Sequence, residues 1–464
     1  MDLIERLRAI TPHVLTGPDA LPYGRDWVGK YVTTPLAVVR PNTTAEVSAI
    51  MALAHDTATP VVPMGGNTGL TGATAAEGAL VLSLERMNRI RDIRPEARIA
   101  VVEAGVILQE LHIAAEAQGL SYPMTFGAKG SARIGGTLAT NAGGSNVLRY
   151  GNTRDLCLGL EVVLADGRVL DLMSELHKDN SGYDLRDLMI GAEGTLGVIT
   201  AAVLKLTPLP QAYATAMVTV PSLPDALQLL NRLQEHTGGM VEAFEYMPRD
   251  YMARLAQFRA DLMPPLGHDV DHTIFLEIAS TVPRDCTVDD TGQVPLVSAL
   301  EEILGEMFEA GLVLDAALAG SVAQRRLMWE IREAAAEISV NTKPLVINDL
   351  CLPVDQIETF LSRAEARLKP IDPGVTSCTV SHLGDGNVHY TIYPSAQALC
   401  DPLMEAVEDI VQDMRGSFSA EHGIGLGKLS SMQRRKDPVA LEMMRAVKAA
   451  FDPKGILNPG KTLP

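Results

Sequence analysis

Paired cysteines are missing from this 464-residue sequence. It has five, Cys157, Cys286, Cys351, Cys378 and Cys400, scattered and odd in number. Without a C-x-x-C, neither an iron–sulfur cluster nor a cysteine-based zinc site is indicated. Positive charge is also scarce: 39 Lys and Arg stand against 57 Asp and Glu, a net charge of −18. That balance argues against nucleic acid or an anionic membrane surface as a partner, although an acidic surface can still hold a locally basic pocket. No run of 18 apolar residues occurs, so no membrane span is predicted. The opening Met-Asp-Leu-Ile-Glu-Arg-Leu-Arg is mixed in charge and helix-like, without a signal-peptide core. A reducing cytoplasm is therefore the expected compartment. Internal repeats and low-complexity tracts are absent as well.

What is present is an ordinary globular composition, 47% hydrophobic and 21% charged. The chain is too long for one core, so two or three domains are expected. Residues 1–210 are rich in glycine and short apolar strands and end in Thr-Pro-Leu-Pro. Leu36–Arg40 reads as a strand, Thr43 and Glu46 as a helix start of capping-box type, and Pro60–Pro63 as a second strand. Residues 211–420 mix strands with amphipathic helices at Leu227–Leu233, Leu300–Phe308 and Arg325–Ile338. Met263–Pro265 and the 285–292 neighbourhood read as loops. Residues 421–464 hold a helix, Val439–Phe451, and the tail Asp-Pro-Lys-Gly-Ile-Leu-Asn-Pro-Gly-Lys. The fold class is α+β.

Residues 382–389 read His-Leu-Gly-Asp-Gly-Asn-Val-His. Asp385-Gly386 suits a two-residue type I′ hairpin turn, because both residues tolerate positive φ. Folding there places His382 opposite His389 on one face, with Cβ atoms about 4.5–5.5 Å apart. Two imidazoles at that spacing suit one first-row metal ion, and Glu421, in Glu421-His422-Gly423-Ile424-Gly425, is a third candidate ligand. Two His and one carboxylate leave positions open for substrate. Two ordinary histidines on a partly buried strand would give the same letters.

Three glycine segments form a second line. Gly65-Gly66-Asn67-Thr68-Gly69-Leu70-Thr71-Gly72 follows a strand and can turn its N–H groups inward as an anion nest. It has neither the Lys-Ser/Thr of a Walker loop nor G-x-G-x-x-G, yet it fits a pyrophosphate. Gly135–Gly144 (with Gly136, Thr140, Asn141 and Gly143) and Gly191–Thr200 (with Glu193, Gly197 and Ile199) are further close-approach segments. One such segment alone is commonly a tight turn; three argue for an extended ligand laid along backbone.

These segments, Val162–Gly167, the double-histidine hairpin, Glu421–Gly425 and Asn458-Pro459-Gly460-Lys461 together resemble the FAD-linked D-2-hydroxy-acid dehydrogenases of the vanillyl-alcohol-oxidase/p-cresol-methylhydroxylase superfamily. The resemblance covers nearly the whole chain. It implies a two-subdomain FAD-binding domain over 1–210, completed by 421–464, and an α+β substrate or cap domain with an antiparallel sheet over 211–420. It implies that Gly65, Gly66, Asn67, Thr68 and Gly69 hold the pyrophosphate. Gly136, Thr140, Asn141, Gly143, Gly144, Glu193, Gly197, Ile199 and Asn458 would line the rest of FAD. Relatives with covalent flavin often carry His in the first glycine loop; Asn67 stands there, so FAD is expected to be noncovalent, with Cys157 a buried structural thiol.

The chemistry the resemblance implies is oxidation of a D-2-hydroxy acid to its 2-oxo acid, with hydride passing from C2 to flavin N5. One divalent metal on His382, His389 and Glu421 would lower the pKa of the hydroxyl. Zinc is used by similar enzymes; manganese, iron or cobalt would suit the same donors. His422 would serve as general base, with a fourth ligand as its alternative role. Arg332 matches the family's carboxylate-binding arginine; a surface arginine paired with Glu333 or Glu337 is the plainer reading. Members preferring 2-hydroxyglutarate tend to carry Thr where this chain has Ala336 and Lys where it has Ile347. D-lactate-like monocarboxylates are therefore expected ahead of D-2-hydroxyglutarate, although Lys343 or Arg325 could reach the pocket. A separate flavoprotein or quinone is the expected electron acceptor, and a homodimer the expected assembly. Other classes remain open: a flavin oxidase using oxygen, a metal-dependent hydrolase (which leaves the glycines unexplained), and a noncatalytic nucleotide-binding protein (which leaves Glu421 and His422 unexplained).

Overall fold

The computed structural model describes residues 2–290 and 292–464. Met1 and Thr291, which the readings of the N-terminal segment and the 285–292 loop include, lie outside them. The chain divides into two units. One comprises 1–143, 151–208 and 421–464; the other comprises 144–150 and 209–420. The segment 144–150 thus leaves the glycine-rich half. Its Arg149 Nη1 and Tyr150 hydroxyl both donate to buried Glu242, at 2.9 and 2.6 Å, inside the second unit.

The described residues of the first unit form two larger sheets and one two-stranded pair. One is β1 (Val14–Leu15), β2 (Ala37–Val39), β3 (Val61–Met64) and β4 (Leu80–Ser83), in the order β1-β2-β4-β3 with β2, β4 and β3 parallel. The helix Thr44–Asp56 crosses between β2 and β3. Thr43 caps it by accepting from Glu46 N, while the Glu46 carboxylate accepts from Asn42 N. The second sheet holds β5 (Ile90–Arg94) and β6 (Ile99–Glu103), then, beyond the two-residue β7 (Leu120–Ser121), β8 (Cys157–Val163), β9 (Val169–Leu172) and β10 (Val198–Lys205). Its order is β5-β6-β10-β8-β9, all antiparallel; β7 pairs instead with β11 (Thr207–Pro208). The tail returns beside β3, where Asn458 N donates to Val61 O.

The second unit is one seven-stranded antiparallel sheet of β12 (Ala212–Thr219), β13 (Val241–Pro248), β14 (His272–Ser280), β15 (Asp315–Leu318), β16 (Val346–Cys351), β17 (Thr376–His382) and β18 (Asn387–Tyr393), in the order β15-β12-β14-β13-β17-β18-β16. Strand alternation decides its two faces. Phe244, Tyr246, Leu350, Val388 and Tyr390 enter a core closed by the helices Leu223–Thr237, Pro295–Glu309, Ile357–Leu368 and Cys400–Asp413. The other face packs Met217, Phe275, Cys378 and Val380 against Arg249–Phe258, Val322–Glu333 and Ala335–Val340. The helix expected over 325–338 is broken in two at Ala334. Neither Gly nor Pro causes this: the Tyr251 hydroxyl donates to the carbonyls of Ile331 (2.5 Å) and Arg332 (3.3 Å), where the first helix ends.

Candidate active site

The same alternation that sends Phe244, Leu350 and Val388 into the four-helix core turns Glu245, Asp349 and His389 to the opposite face, which His382 shares. Glu245 is fully buried. Its Oε2 accepts from Arg332 Nε at 2.6 Å, and its Oε1 lies 2.8 Å from His382 Nδ1. Burial pushes this carboxyl up, but the Arg332 charge and then His382 outweigh burial and leave it at about 2. A carboxylate at Nδ1 keeps the proton there, so the His382 lone pair is on Nε2. Arg332 Nη2 lies 3.4 Å from both ring nitrogens, beside the ring rather than in line with either. Arg332 is therefore buried and paired with Glu245, not a surface arginine paired with Glu333 or Glu337.

The hairpin differs from its expected form. His382 pairs with Asn387, and His389 with Val380. The connection is the four residues Leu383–Gly386 rather than two. The cause is Leu383: its N–H is taken by Phe244 O and its side chain is buried in the core, so it cannot pair with Val388. Gly386, at φ +86°, turns the chain where a Cβ would meet Leu352 O at 2.2 Å. The slip is two residues, so side-chain parity survives. His382 and His389 still share a face, with ring centroids 5.4 Å apart. Asp349, fully buried, lies 3.8 Å from His389 Nδ1 and accepts from Asn387 Nδ2 at 3.0 Å.

Glu421 and His422 are reached along the chain from this face. Residues 417–420 run beside β16 through the Cys351–Ser417 and Asp349–Ser419 bridges, and Ala420 N donates to Asp349 O. Within the first unit, the turn that follows is held by Glu193. Its carboxylate accepts from Ile424 N and Gly425 N, each at 2.7 Å, and burial raises its pKa. Thr71 Oγ1 donates to His422 O. Glu193 is thus a strut of the Glu421–Gly425 turn.

Gly65 and Gly66 meet neighbouring backbone, and Gly197 meets a side chain. A Cβ on Gly65 would lie 3.2 Å from Gly136 Cα, one on Gly66 2.2 Å from Ser131 O, and one on Gly197 2.5 Å from Val162 Cγ1. Gly69 has nothing within 4 Å, and Gly136 nothing nearer than 3.9 Å. These two lack side chains without being crowded, as a site kept clear for a ligand requires. Gly135, Gly136 and Thr140 belong to a helix, Ile134–Thr140, rather than a loop; Thr140 Oγ1 bonds back to Gly136 O. Asn67, Asn141, Glu193 and Asn458 all adopt positive φ, rare for non-glycine residues. Asn67 bridges Arg25 O and Thr74, and Asn141 accepts from Arg154 N. Asn458 Nδ2 donates to Ala73 O and Glu193 O. Thr68 follows Asn67 in the loop, Gly143 closes the first unit's segment, Ile199 is buried in β10, and Gly144 opens the segment assigned to the second unit. Cys157 is buried and its thiol is pushed up to about 12 by burial, a poor nucleophile.

Two side chains here were not anticipated from sequence, Glu245 and Asp349. Their signal is a carboxylate at an inward position of an otherwise apolar strand, as in Val-Glu-Ala-Phe-Glu-Tyr-Met.

Solved structures with this fold include p-cresol methylhydroxylase (TM-score 0.75, 16% identity, 99% of this chain and 96% of that one) and alkyldihydroxyacetonephosphate synthase (TM-score 0.71, 18% identity, 99% and 84%). The chain thus shares its fold with these proteins. Residues 35–173 match the FAD binding domain family, and 209–462 match the C-terminal domain of FAD linked oxidases. Among curated proteins, the mitochondrial D-2-hydroxyglutarate dehydrogenase of Bos taurus is 37% identical over 469 residues, covering 100% of this chain and 83% of that protein. The D-2-hydroxyglutarate dehydrogenase of Xanthomonas citri pv. viticola is 37% identical over 447 residues, covering 95% and 91%. The chain belongs to the FAD-linked D-2-hydroxy-acid dehydrogenase family, and its activity is FAD-linked oxidation of a small D-2-hydroxy acid. Among the described residues, no helix is long and apolar enough to cross a membrane.

Proposed function

We propose that the protein oxidises a D-2-hydroxy monocarboxylate of the D-lactate type, with one divalent metal, zinc foremost, on His382, His389 and Glu421. The observation that carries this reading is the Glu245 bridge. One buried carboxylate fixes the tautomer of His382 and the orientation of Arg332 on a single sheet face. Arg332 would grip the substrate carboxylate, and His422 would take the hydroxyl proton. A divalent ion on the three ligands would supply positive charge for that hydroxyl. FAD, held noncovalently along Gly65–Gly69, Gly136 and Asn458, supplies the acceptor for the C2 hydride when bound. Electrons would leave to a separate flavoprotein or quinone.

The tail of the substrate is where this reading differs from the activity named for the relatives. On β16, Ile347 shares the face of Asp349 two residues away and is 37% exposed. It offers an apolar surface beside Thr391, its cross-strand partner. Arg325 is committed elsewhere: its Nε and Nη2 clamp buried Glu277, each at 2.7 Å. A second carboxylate left unpaired there would cost on the order of several kcal/mol. D-2-hydroxyglutarate is the second reading, favoured by relatives 34–37% identical that carry that name. Anaerobic flavin bleaching across a panel of D- and L-hydroxy acids separates the two readings. Oxygen uptake faster than turnover with an artificial acceptor would instead mark an oxidase.

A further inference from the structure

Two lysines, Lys448 half-buried and Lys461 buried, line one cleft of the first unit, and they are treated differently. The cleft, about 470 Å³, lies between the helix Pro438–Phe451 and the chain's tail; Thr195, Arg445, Lys448, Asp452, Lys454 and Lys461 are among its lining residues. The Lys448 side chain is 20% exposed, and its three donors are filled. Nζ bonds Thr195 O at 2.7 Å, Asp452 Oδ2 at 2.5 Å and Leu457 O at 2.8 Å. Lys461 is only 6% exposed; its carbonyl accepts from Leu463 N, yet among the described residues its ammonium has no hydrogen bond or ion pair. Its ammonium is not sealed in either, and it opens on the cleft.

Burying an ammonium without a partner costs several kcal/mol, as the depression of Lys461 to about 8 by burial alone reflects. The surroundings are cationic. Lys454 donates to His55 O, a neutral carbonyl, so its charge is not cancelled there, while Arg445 donates to Pro464 O. The one acid, Asp452, is engaged by Lys448. None of the glycines assigned above to FAD lines the cleft, but Asn458, also assigned to FAD, does, so the FAD-loaded protein is the form in which a separate ligand has to be tested.

We propose that this cleft is a binding site for a small oxyanion, phosphoryl or carboxylate, with Lys461 as its anchoring charge. The proposal rests on geometry within the first unit and is independent of the substrate reading. Inorganic phosphate, titrated into the FAD-loaded protein by calorimetry, should bind saturably at one site; acetate is the second probe. Lys461→Met should weaken that binding at least tenfold, and Lys461→Arg should keep most of it. In anion-free buffer Lys461→Met should also raise Tm by roughly 2 °C, because it removes an unpaired charge, whereas Lys448→Met should lower Tm. Three results would overturn the site: no saturable binding of either anion, equal binding by Lys461→Met, or loss of FAD from Lys461→Met, which would assign the ammonium to the cofactor.

Discussion

In the first unit, Gly65 and Gly66 approach Gly136 and Ser131 through backbone, and the proposed FAD cradle is made by leaving side chains out. In the second unit charges are put in: buried Glu245, Glu277 and Glu242 each hold a guanidinium, of Arg332, Arg325 and Arg149, the first of these pairs buried on both sides. The difference shows two ways of fixing a site. A backbone cradle tolerates no added atom where backbone meets backbone, but its failure is steric and local. A buried ion pair tolerates small shape changes, but losing one partner strands the other charge, at about 3–5 kcal/mol.

The sharpest way to break the comparison is inside the cradle. Gly66→Ala would drive a Cβ to 2.2 Å from Ser131 O, and we expect colourless, poorly folded protein by absorbance and circular dichroism. Gly136→Ala has room in the chain itself and should fold, gaining about 0.5–1 kcal/mol from its helix, yet bind FAD far more weakly. Full flavin content in Gly136→Ala would mean that this glycine serves no ligand. Next in size, His422→Ala should keep metal and flavin while slowing anaerobic flavin reduction about 10²–10⁴-fold; an unchanged rate removes it as the base. Glu245→Gln tests the ion-paired face. Metal content after dialysis should fall with an affinity loss of about 10–100-fold, and KM for the hydroxy acid should rise as Arg332 loses its brace. Unaltered metal affinity would reduce Glu245 to packing.

A smaller effect tests another carboxylate of the same unit, one without an arginine. β13 and β17 pair only at Glu245–His382 and Tyr246–Ser381 and then part. Asp250 fills the fork, accepting from Thr379 N and Ser377 Oγ at 3.2 Å each. Burial raises it from 3.8 to about 6. A carboxyl raised on folding is easier to protonate in the native state, so its cost is absent below about pH 4 and complete above about pH 6. Denaturant unfolding should therefore show stability falling by about 2–3 kcal/mol across that window. Asp250→Asn should flatten the profile; an identical slope in the variant would show that other groups set it.

The glycine cradle was largely legible in the sequence because crowded backbone admits only glycine and the spacing records it. The histidine pair was legible for a different reason: the period of two fixes a shared face even when the register slips, as it does at Leu383. Glu245 and Asp349 were not legible. A buried acid in an apolar strand reads as a break in pattern until the partner, here Arg332 on a helix 87 residues away, is brought to it. The role of Glu193 was likewise hidden, since its acceptors' partners lie more than 230 residues along the chain.

The most direct test is anaerobic flavin reduction by D-lactate, longer D-2-hydroxy monocarboxylates, D-2-hydroxyglutarate and the L-enantiomers, with and without prior chelation. The account predicts bleaching by the D-monocarboxylates at the highest kcat/KM, none by L-acids, and loss of bleaching on chelation with restoration by zinc or manganese while the flavin stays bound. Much higher kcat/KM for D-2-hydroxyglutarate, or undiminished bleaching after the metal is removed, would contradict it.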